Sequence, residues 1–371
     1  MIAVRKTDFD EITKVRWQDV LDRAKNAYIF QTYGFQRTWW EYFGKNNPGR
    51  RLLLLVAEEK GGIAGIAPLM EERIPFFPGA IIRFIGTPVA DYIDFIAVKG
   101  REPEVASSFI SYLKKENPLE IDLFYVPDGS SALEVKGVNP AAADRSPYIE
   151  LKDNWEETFA ALNGTVKRYV RRRERKIAGE GTLEFGYVKN EKEKEIFLEE
   201  YFRIHVKRWR DFGGRYSQFQ YEVWRNFVRG ISEIMFPAGM LDLSYLKLNS
   251  EIIACHFGFV YNKVFHWYMP AFNPDYSRFS PGNLFIKRLM EHSVRMGLRE
   301  FDFLRGEEGY KIMWAGQKSR KLYNILGYSD NIFTSGTGRL LRNTRNFYNK
   351  RVKDRIKKVR PLMKIWYGSK G

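Results

Sequence analysis

The chain has 371 residues, a length that suggests two domains, and its 61 Lys and Arg against 45 Asp and Glu give a formal net charge of +16. Hydrophobic residues make up 44% and aromatic residues 16% of the sequence, which supplies packed cores and excludes a wholly disordered chain. The single cysteine, Cys255, excludes an internal disulfide and a cysteine-based zinc site, and the lack of a run of about 18 apolar residues argues against a membrane-spanning helix.

The first 150 residues indicate where the protein is located in the cell and predict a first α/β unit. Residues 1–15 lack the apolar centre of a secretion signal, so we expect a cytoplasmic protein. Gly61 and Gly62 fall between two predicted strands and indicate a hairpin turn instead of a dinucleotide-binding loop. Apolar runs predict strands at 52–56, 63–70, 81–85, 92–98 and 120–126, with a helix at 102–116.

A short basic segment follows at residues 166–177. It holds seven Lys and Arg against one acid, a net charge of +6. The apolar residues keep a helical spacing, and Gly179 suits the end of the helix. They are Val166, Tyr169, Val170 and Ile177. Two interpretations stay open: a solvated helix with one apolar stripe, or a helix that borders an anionic substrate or cofactor.

The second half of the chain repeats the plan of the first. Strands are predicted at 241–248, 252–260, 264–269 and 299–304, with a helix at 281–296 before the last strand. Asp122 and Asp302 occupy matching places in the last strand of each unit. The repeat predicts duplicated α/β domains with mixed sheets. We expect an N-terminal domain at 1–147, a C-terminal domain at 148–330 and a separate tail at 331–371.

The tail is strongly basic. Residues 336–371 hold twelve Lys and Arg against one acid, a net charge of +11. Its apolar residues recur at helical spacing, which predicts a basic amphipathic helix. They are Leu341, Tyr348, Val352, Ile356, Val359, Met363 and Trp366. Such a helix either docks on the body or lies on an anionic membrane surface. In the second case segment 336–371 would hold the protein at the inner membrane face, and its removal would leave the folded body intact.

Charged residues cluster around the last strand of the second unit. Asp302 lies among apolar residues, where a carboxylate either pairs with an arginine or faces a cleft as a base. Glu308, in the loop that follows, is a second catalytic candidate, because sites of α/β proteins collect in loops at strand ends. Arg305, Glu307 and Lys311 of the same loop are expected to bind substrate.

A polar cluster is predicted on the neighbouring strands. A turn at 261–263 with Val260 opposite Val264 would place His256 opposite Tyr268 and bring His266 onto the same face. His256 and Tyr268 are then candidates for proton transfer, and His266 for substrate binding. The histidines lack the spacing of a metal site, so we expect no metal.

Four segments together point to a known group. They are Phe30–Trp40, Lys167–Lys176, Tyr276–Gly282 and, most specific, Phe301-Asp-Phe-Leu-Arg-Gly-Glu-Glu-Gly-Tyr-Lys311 followed by Trp314. In these segments the chain resembles the FemAB-like and CelD-like acyltransferases of the GNAT superfamily, over roughly residues 1–330. The resemblance implies two tandem GNAT-like (acyl-CoA N-acyltransferase) domains, plus the basic C-terminal helix, and acyl transfer to an amine or hydroxyl.

The resemblance also implies where the donor binds. GNAT enzymes hold the CoA pyrophosphate on a Gln/Arg-x-x-Gly-x-Gly/Ala loop before a helix. The equivalent stretch here, Arg278-Phe-Ser-Pro-Gly-Asn-Leu284, retains an arginine and a glycine only in spirit and has Leu284 at the second glycine position. The donor-binding residues implied are Arg278, Ser280, Gly282 and Asn283. FemAB relatives use aminoacyl-tRNA, a donor that suits the basic segments.

These observations predict an acyltransferase that uses acetyl-CoA or another acyl-CoA. The acceptor would be a small molecule or glycan, in particular a cell-envelope polysaccharide or its precursor, because many relatives are tied to such glycans. Two alternatives stay open. One is a FemAB-type transferase that uses aminoacyl-tRNA, with tRNA as the partner; the other is a non-enzymatic basic module that binds nucleic acid or anionic membrane.

Overall fold

Strands and helices alternate through the computed structural model, which describes residues 2–74, 79–211 and 216–356, with side chains up to residue 344. The strands are β1 Ala3–Thr7, β2 Arg50–Glu59, β3 Gly62–Arg73, β4 Ala80–Phe84, β5 Ile96–Ala97, β6 Glu120–Pro127, β7 Val138–Glu150, β8 Leu183–Tyr187, β9 Leu241–Leu248, β10 Glu251–Tyr261, β11 Val264–Phe272, β12 Glu300–Asp302 and β13 Ser319–Gly327. The helices are α1 Lys14–Asp22, α2 Tyr33–Trp39, α3 Glu102–Lys115, α4 Trp155–Ala161, α5 Gly164–Ala178, α6 Glu191–Asp211, α7 Glu222–Met235, α8 Pro281–Arg295, α9 Gly309–Ala315 and α10 Ile332–Ile356.

Local sequence explains how the first strands form. The apolar run at 53–57 is buried in β2, and β3 returns antiparallel to it. Lys60 and Gly61 join the two strands with φ angles of 51° and 80°. Positive φ at both positions is typical of a type I′ hairpin turn, so the expected turn at this place is present.

One mixed sheet contains both halves of the described chain. Its strand order is β1-β2-β3-β4-β6-β13-β7-β12-β11-β10-β9-β8, with β5 beside β3. Read outward from the β13–β7 pair, the two sides match strand for strand. β6 runs parallel to β4, and β12 runs parallel to β11. The expected α/β class with a mixed sheet is confirmed, and Asp122 and Asp302 lie in corresponding strands.

The halves exchange a strand at the centre of the sheet. β13 comes from the second half of the sequence but lies between β6 and β7. β7 pairs with β13 through residues 138–147 and with β12 through residues 148–150. The expected domain boundary at 147/148 therefore falls inside β7, and the two expected sheets are joined into one.

The helices cover the two faces of the sheet unequally. On one face, α1, α2, α6 and α7 pack into a single apolar core that spans both halves, with Phe35, Phe227 and Phe259 among its members. On the other face, α3 covers the first half and α5 with α8 covers the second half. The core beneath α5 and α8 contains the expected apolar stripe of α5, because Val166 and Ile177 are fully buried there.

The tail begins as a docked helix. Arg342 of α10 forms ion pairs with Glu120 and Asp122 of β6, and Gly338 approaches the carbonyl of Leu119 so closely that no Cβ would fit. The expectation that the tail is a separate appendage is wrong for this part of α10. Of its predicted stripe only Leu341 lies among the described side chains; the side chains from Tyr348 to Trp366 lie outside them. Within the described residues no helix is long and apolar enough to cross a membrane.

Candidate functional site

Strands β11 and β12 separate after a short parallel pairing, and we call the place where they part the opening. The two parallel strands pair over only three positions, ending at His266 and Asp302. Beyond them, the N–H of Phe303 donates to the carbonyl of Pro147 at 2.9 Å, and Leu304 adopts a φ of 59° that turns the chain away. Ligands of α/β proteins bind at such carboxyl ends of parallel strands.

The N-terminus of α8 lies beside this opening. Ser280 precedes the helix with a φ of 56°, and Pro281 is its first residue. The carbonyl of Ser280 accepts from the N–H groups of Asn283 and Leu284 at 3.1 and 3.4 Å. A Cβ added at Gly282 would meet no atom within 4 Å, so space remains in front of this turn. The four expected donor-binding residues therefore lie together here.

Helix α5 lines the same place with positive charge. Arg173 and Lys176 both donate to the carbonyl of Arg278, at 3.1 and 3.2 Å, and the hydroxyl of Tyr169 donates to Ser280 Oγ at 2.9 Å. The Nε of Arg173 is buried and has no partner within the described residues. We call the basic residues of this helix the α5 basic face: Lys167, Arg168, Arg171, Arg172, Arg173, Arg175 and Lys176.

Helix α9 connects the donor-side turn with the strand opening. Trp314 Nε1 donates to Asn283 Oδ1 at 2.8 Å, and one turn earlier the Tyr310 hydroxyl accepts from Trp267 Nε1 at 3.2 Å. Burial raises the pKa of Tyr310 to about 12, so its phenol is neutral near pH 7 and keeps an O–H to donate.

The loop between β12 and α9 is held by Lys311. Its Nζ donates to the carbonyls of Leu304 and Arg305 at 3.4 and 2.6 Å and pairs with Glu308 at 2.9 Å. The lysine side chain is only 7% exposed. An ammonium has three hydrogens, and all three have partners inside the loop. Lys311, expected to bind substrate, shapes the loop in this structure.

The loop also meets the first half of the chain along a line of contacts that we call the seam. Arg305 pairs with Asp91 at 3.4 Å, and its guanidinium lies 3.8 Å from the centre of the Tyr125 ring. Tyr268 of β11 donates to the carbonyl of Val89 at 3.0 Å. Residues from both halves of the chain thus border the strand opening.

Asp91 is the carboxylate of the seam with an unusual pKa. Burial raises its pKa to about 6, although Arg305 and Lys311 oppose the shift. The side chain keeps 17% exposure. A carboxylate with a pKa this close to neutral is suited to accept a proton from a substrate.

Arg208 of α6 is a cation at the edge of the opening. Its guanidinium donates to the carbonyl of Pro270 at 2.7 Å and lies 4.7 Å from the ring centre of Phe272. Burial lowers its pKa, and the described side chains give it no ion pair. The N–H groups that the Pro270 carbonyl does not engage are candidates for binding a ligand.

Asp302 is placed as a structural acid. It is fully buried and accepts hydrogen bonds from the Tyr92 hydroxyl at 2.7 Å, the Ser146 hydroxyl at 2.8 Å and the Leu304 N–H at 2.7 Å. Arg320 adds an ion pair at 3.1 Å. Of the two interpretations of this residue, the pairing with an arginine is the one that the structure supports.

The expected cavity that joins Asp302, His256 and Tyr268 is wrong, because His256 lies on the other face of the sheet. Its ring stacks on Trp267, with ring centres 4.6 Å apart, in the core beneath α8. The turn contains two residues with positive φ, Asn262 and Lys263, so β10 pairs one residue later than expected. A shift of one residue moves every side chain of a strand to the opposite face.

The remaining expected residues lie apart from the opening or at its rim. His266 is buried on the face of Asp302, and burial lowers its pKa to about 4. Glu307 and Glu308 are more than half exposed, with Arg145 3.8 Å from Glu307. No group of three His, Cys, Asp or Glu in the described part of the chain could hold a metal ion.

Sequence reasoning missed Tyr92, Arg208 and Arg320. Tyr92 and Arg320 contact Asp302 from separate parts of the chain, and no local sequence pattern predicts these contacts. Arg208 offered a weak signal, since it lies on α6 about one helical turn after the buried His205.

Comparisons with known proteins bear on the fold and on the class of enzyme. Residues 164–312 match the profile of the acetyltransferase (GNAT) domain. FemX has 11% identity and a TM-score of 0.62, covering 88% of this chain and 95% of its own. The C-terminal domain of a putative lysylphosphatidylglycerol synthetase from Agrobacterium fabrum has 12% identity and a TM-score of 0.56, covering 90% and 95%.

A third solved structure, L-PGS from Bacillus licheniformis, has 9% identity and a TM-score of 0.55, covering 88% of this chain and 95% of its own. No curated protein sequence matches the chain. At these identities the structural matches establish the fold, and the domain profile establishes the enzyme class. Residues 164–312 thus match an acetyltransferase domain of the GNAT superfamily, and the fold of the whole chain is similar to that of FemX.

Proposed function

We propose that the chain transfers an acyl group from acyl-CoA, such as acetyl-CoA, to an amine of an acceptor bound at the seam. The observation that carries the proposal is the meeting of the α8 N-terminus with the α5 basic face beside the opening between β11 and β12. A helix N-terminus attracts phosphate, and Arg173 and Lys176 add charge at the same turn.

The residues present fit a pyrophosphate group. The buried Nε of Arg173 lacks a partner among the described residues, and the space in front of Gly282 is open. A bound phosphate oxygen would satisfy this donor, which otherwise costs free energy. Ser280 is held from one side by Tyr169, so the turn is positioned before any ligand arrives.

The opening and the seam together supply groups for proton transfer. Acyl-CoA, when bound, brings an activated thioester. The neutral phenol of Tyr310 can donate a hydrogen bond to a carbonyl oxygen or to a leaving group at the opening. The Asp91 carboxylate can take the proton that the acceptor amine must lose. Arg208 and Arg305 would bind an anionic part of the acceptor, which suits a cell-envelope polysaccharide precursor or another acidic glycan.

Aminoacyl-tRNA is the second candidate donor, and the extent of the α5 basic face favours it. Two phosphates of CoA need few cations, but five of the seven basic side chains on α5 are exposed: Arg168, Arg171, Arg172, Arg175 and Lys176. Several phosphate contacts along one helix are typical of a nucleic-acid backbone.

Matched variants of α5 separate the two donors. Arg173→Ala with Lys176→Ala removes the side chains that contact the α8 turn, and Arg171→Ala with Arg175→Ala removes the same charge elsewhere on the helix. We expect acetyl-CoA to raise the melting temperature of the parent and of the second variant, and to leave the first variant unchanged. Differential scanning fluorimetry, with and without acetyl-CoA, measures the melting temperatures of the parent and of the two variants.

The same variants test the tRNA donor. If tRNA is the donor, both double variants weaken its binding, and the affinity of the parent falls by roughly tenfold or more between about 50 and 200 mM salt. The assignment of this turn as the donor site would be contradicted if the parent were stabilised neither by tRNA nor by acyl-CoA of any chain length tested.

A further inference from the structure

Helix α10 exposes large apolar side chains. Phe333 is 87% exposed, Ile332 82% and Leu340 68%. Phe333 and Leu340 are seven residues apart, about two turns of an α-helix, so they lie on the same side. Leaving two such side chains in water forfeits the free energy of their burial, which suggests that something covers this side.

The opposite side of α10 is fixed to the body. Arg342 follows Phe333 by nine residues, about two and a half turns, and it forms the ion pairs with Glu120 and Asp122. Gly338 lies against the carbonyl of Leu119. These contacts hold the helix at the surface with Phe333 and Leu340 directed away from the protein.

Positive charge accompanies the apolar side. Residues 336–371 hold twelve Lys and Arg against one acid. The rest of the sequence carries most of the 45 acids, so this charge is concentrated in the segment that continues α10. A helix with exposed apolar residues and a basic continuation fits a surface that is both anionic and apolar beneath.

We propose that α10 binds the surface of an anionic phospholipid bilayer, with Ile332, Phe333 and Leu340 inserted among the lipids and the exposed Arg339 at the headgroups. This places the partner at residues 332–340. The proposal does not depend on the identity of the acyl donor.

The apolar residues decide between a membrane and a nucleic acid. Nucleic acids bind basic helices through their phosphates and through stacking on aromatic rings or arginine. Neither contact uses Ile332 or Leu340. A bilayer rewards burial of all three apolar side chains and also attracts the basic charge.

Vesicle sedimentation with the full chain tests the proposal. We expect binding to vesicles of phosphatidylcholine with about one third phosphatidylglycerol, and little binding to phosphatidylcholine alone. The variant Phe333→Ser/Leu340→Ser should bind the anionic vesicles roughly tenfold or more weakly, since it removes two side chains that each contribute by burial. Both positions are exposed, so circular dichroism should show the parent fold.

The matched control changes apolar residues of similar exposure elsewhere. Val15 is 78% exposed on α1 and Ile196 is 65% exposed on α6; Val15→Ser/Ile196→Ser should bind anionic vesicles as the parent does. The proposal is wrong if Phe333→Ser/Leu340→Ser binds like the parent, or if both vesicle types bind equally. A combined result would also overturn it: RNA displaces the parent from the vesicles, and Phe333→Ser/Leu340→Ser binds RNA as tightly as the parent does. The basic tail would then be a nucleic-acid-binding segment.

Discussion

At the scale of single residues, burial separates two aspartates that the sequence makes equally attractive. Asp302 is enclosed by four hydrogen-bonding partners, and Asp91 is paired with one arginine and partly exposed. A group with every lone pair engaged holds structure together. A group with spare capacity at an opening is available for proton transfer.

Asp302→Asn should therefore lower the free energy of unfolding, by about 3 kcal/mol, since it removes one charge from a buried ion pair. Urea denaturation measures this loss. Asp153→Asn is the control, because Asp153 pairs with Arg299 on the surface and is 80% exposed, where ion pairs contribute little. Unchanged stability together with lost turnover would return Asp302 to the catalytic role.

Asp91→Asn should flatten the pH dependence of stability between about pH 4 and pH 6. The carboxyl has a pKa of about 6 in the folded chain and about 3.9 in the unfolded chain, so folding favours its protonated form. Its contribution is complete below the unfolded pKa and is lost as the pH rises through the folded pKa, by about 3 kcal/mol. The difference between parent and variant unfolding free energies, measured across this range, gives the sign.

The same variant has a kinetic readout. If Asp91 is the base, kcat/KM of the parent rises with pH through about 6 as the carboxylate forms. We expect Asp91→Asn to lose that rise and on the order of 10²-fold in rate. A variant with the parent's pH–rate profile would remove Asp91 from the mechanism without affecting the prediction for stability.

At the scale of elements, the two repeat units differ at one pair of corresponding helices, α3 before β6 in the first unit and α8 before β12 in the second. α8 begins beside the α5 basic face, whereas α3 begins with Glu102 and Glu104 in its first turn. Acids there stabilise the helix by satisfying its positive end, and they repel phosphate. The donor site that we propose therefore lies in the second unit, and the first unit contributes Asp91 and Val89 to the seam.

Helix α10 contributes to stability through Arg342. A chain that ends at residue 330 would leave Glu120 without this ion pair and expose the surface under α10, so we expect its free energy of unfolding to fall by about 2–4 kcal/mol. A chain that ends at residue 344 keeps Arg342 and should unfold close to the parent. Equal stability of both shortened chains would show that the contact with β6 contributes nothing.

At the scale of the whole molecule, the exchanged strands make the sheet one unit. Fragment 1–147 would lack β13, which covers the edge of β6, and fragment 148–371 would lack the residues of β7 that pair with β13. An uncovered sheet edge of this kind favours aggregation. We expect neither fragment to unfold cooperatively alone, and the co-expressed pair to assemble, as judged by gel filtration and circular dichroism. Two independently stable fragments would contradict this.

Sequence alone determined those features that depend on local periodicity. The α5 stripe, the β2–β3 turn and the start of α8 at Pro281 follow from residue spacing and backbone preference, and the repeat with Asp122 and Asp302 followed from comparing two such patterns. The cluster at the α8 turn was also within reach, because its residues are consecutive.

Only the tertiary structure decided what depends on register and on distant partners. The turn at Asn262 and Lys263 is one residue shorter than expected, and that shift moved His256 to the opposite face from Asp302. Asp302 itself is neutralised by Arg320 and enclosed by Tyr92, 18 and 210 residues away. The exchange of β7 and β13 is equally invisible locally, since a strand pattern states which face is apolar but not which neighbour it will pair with.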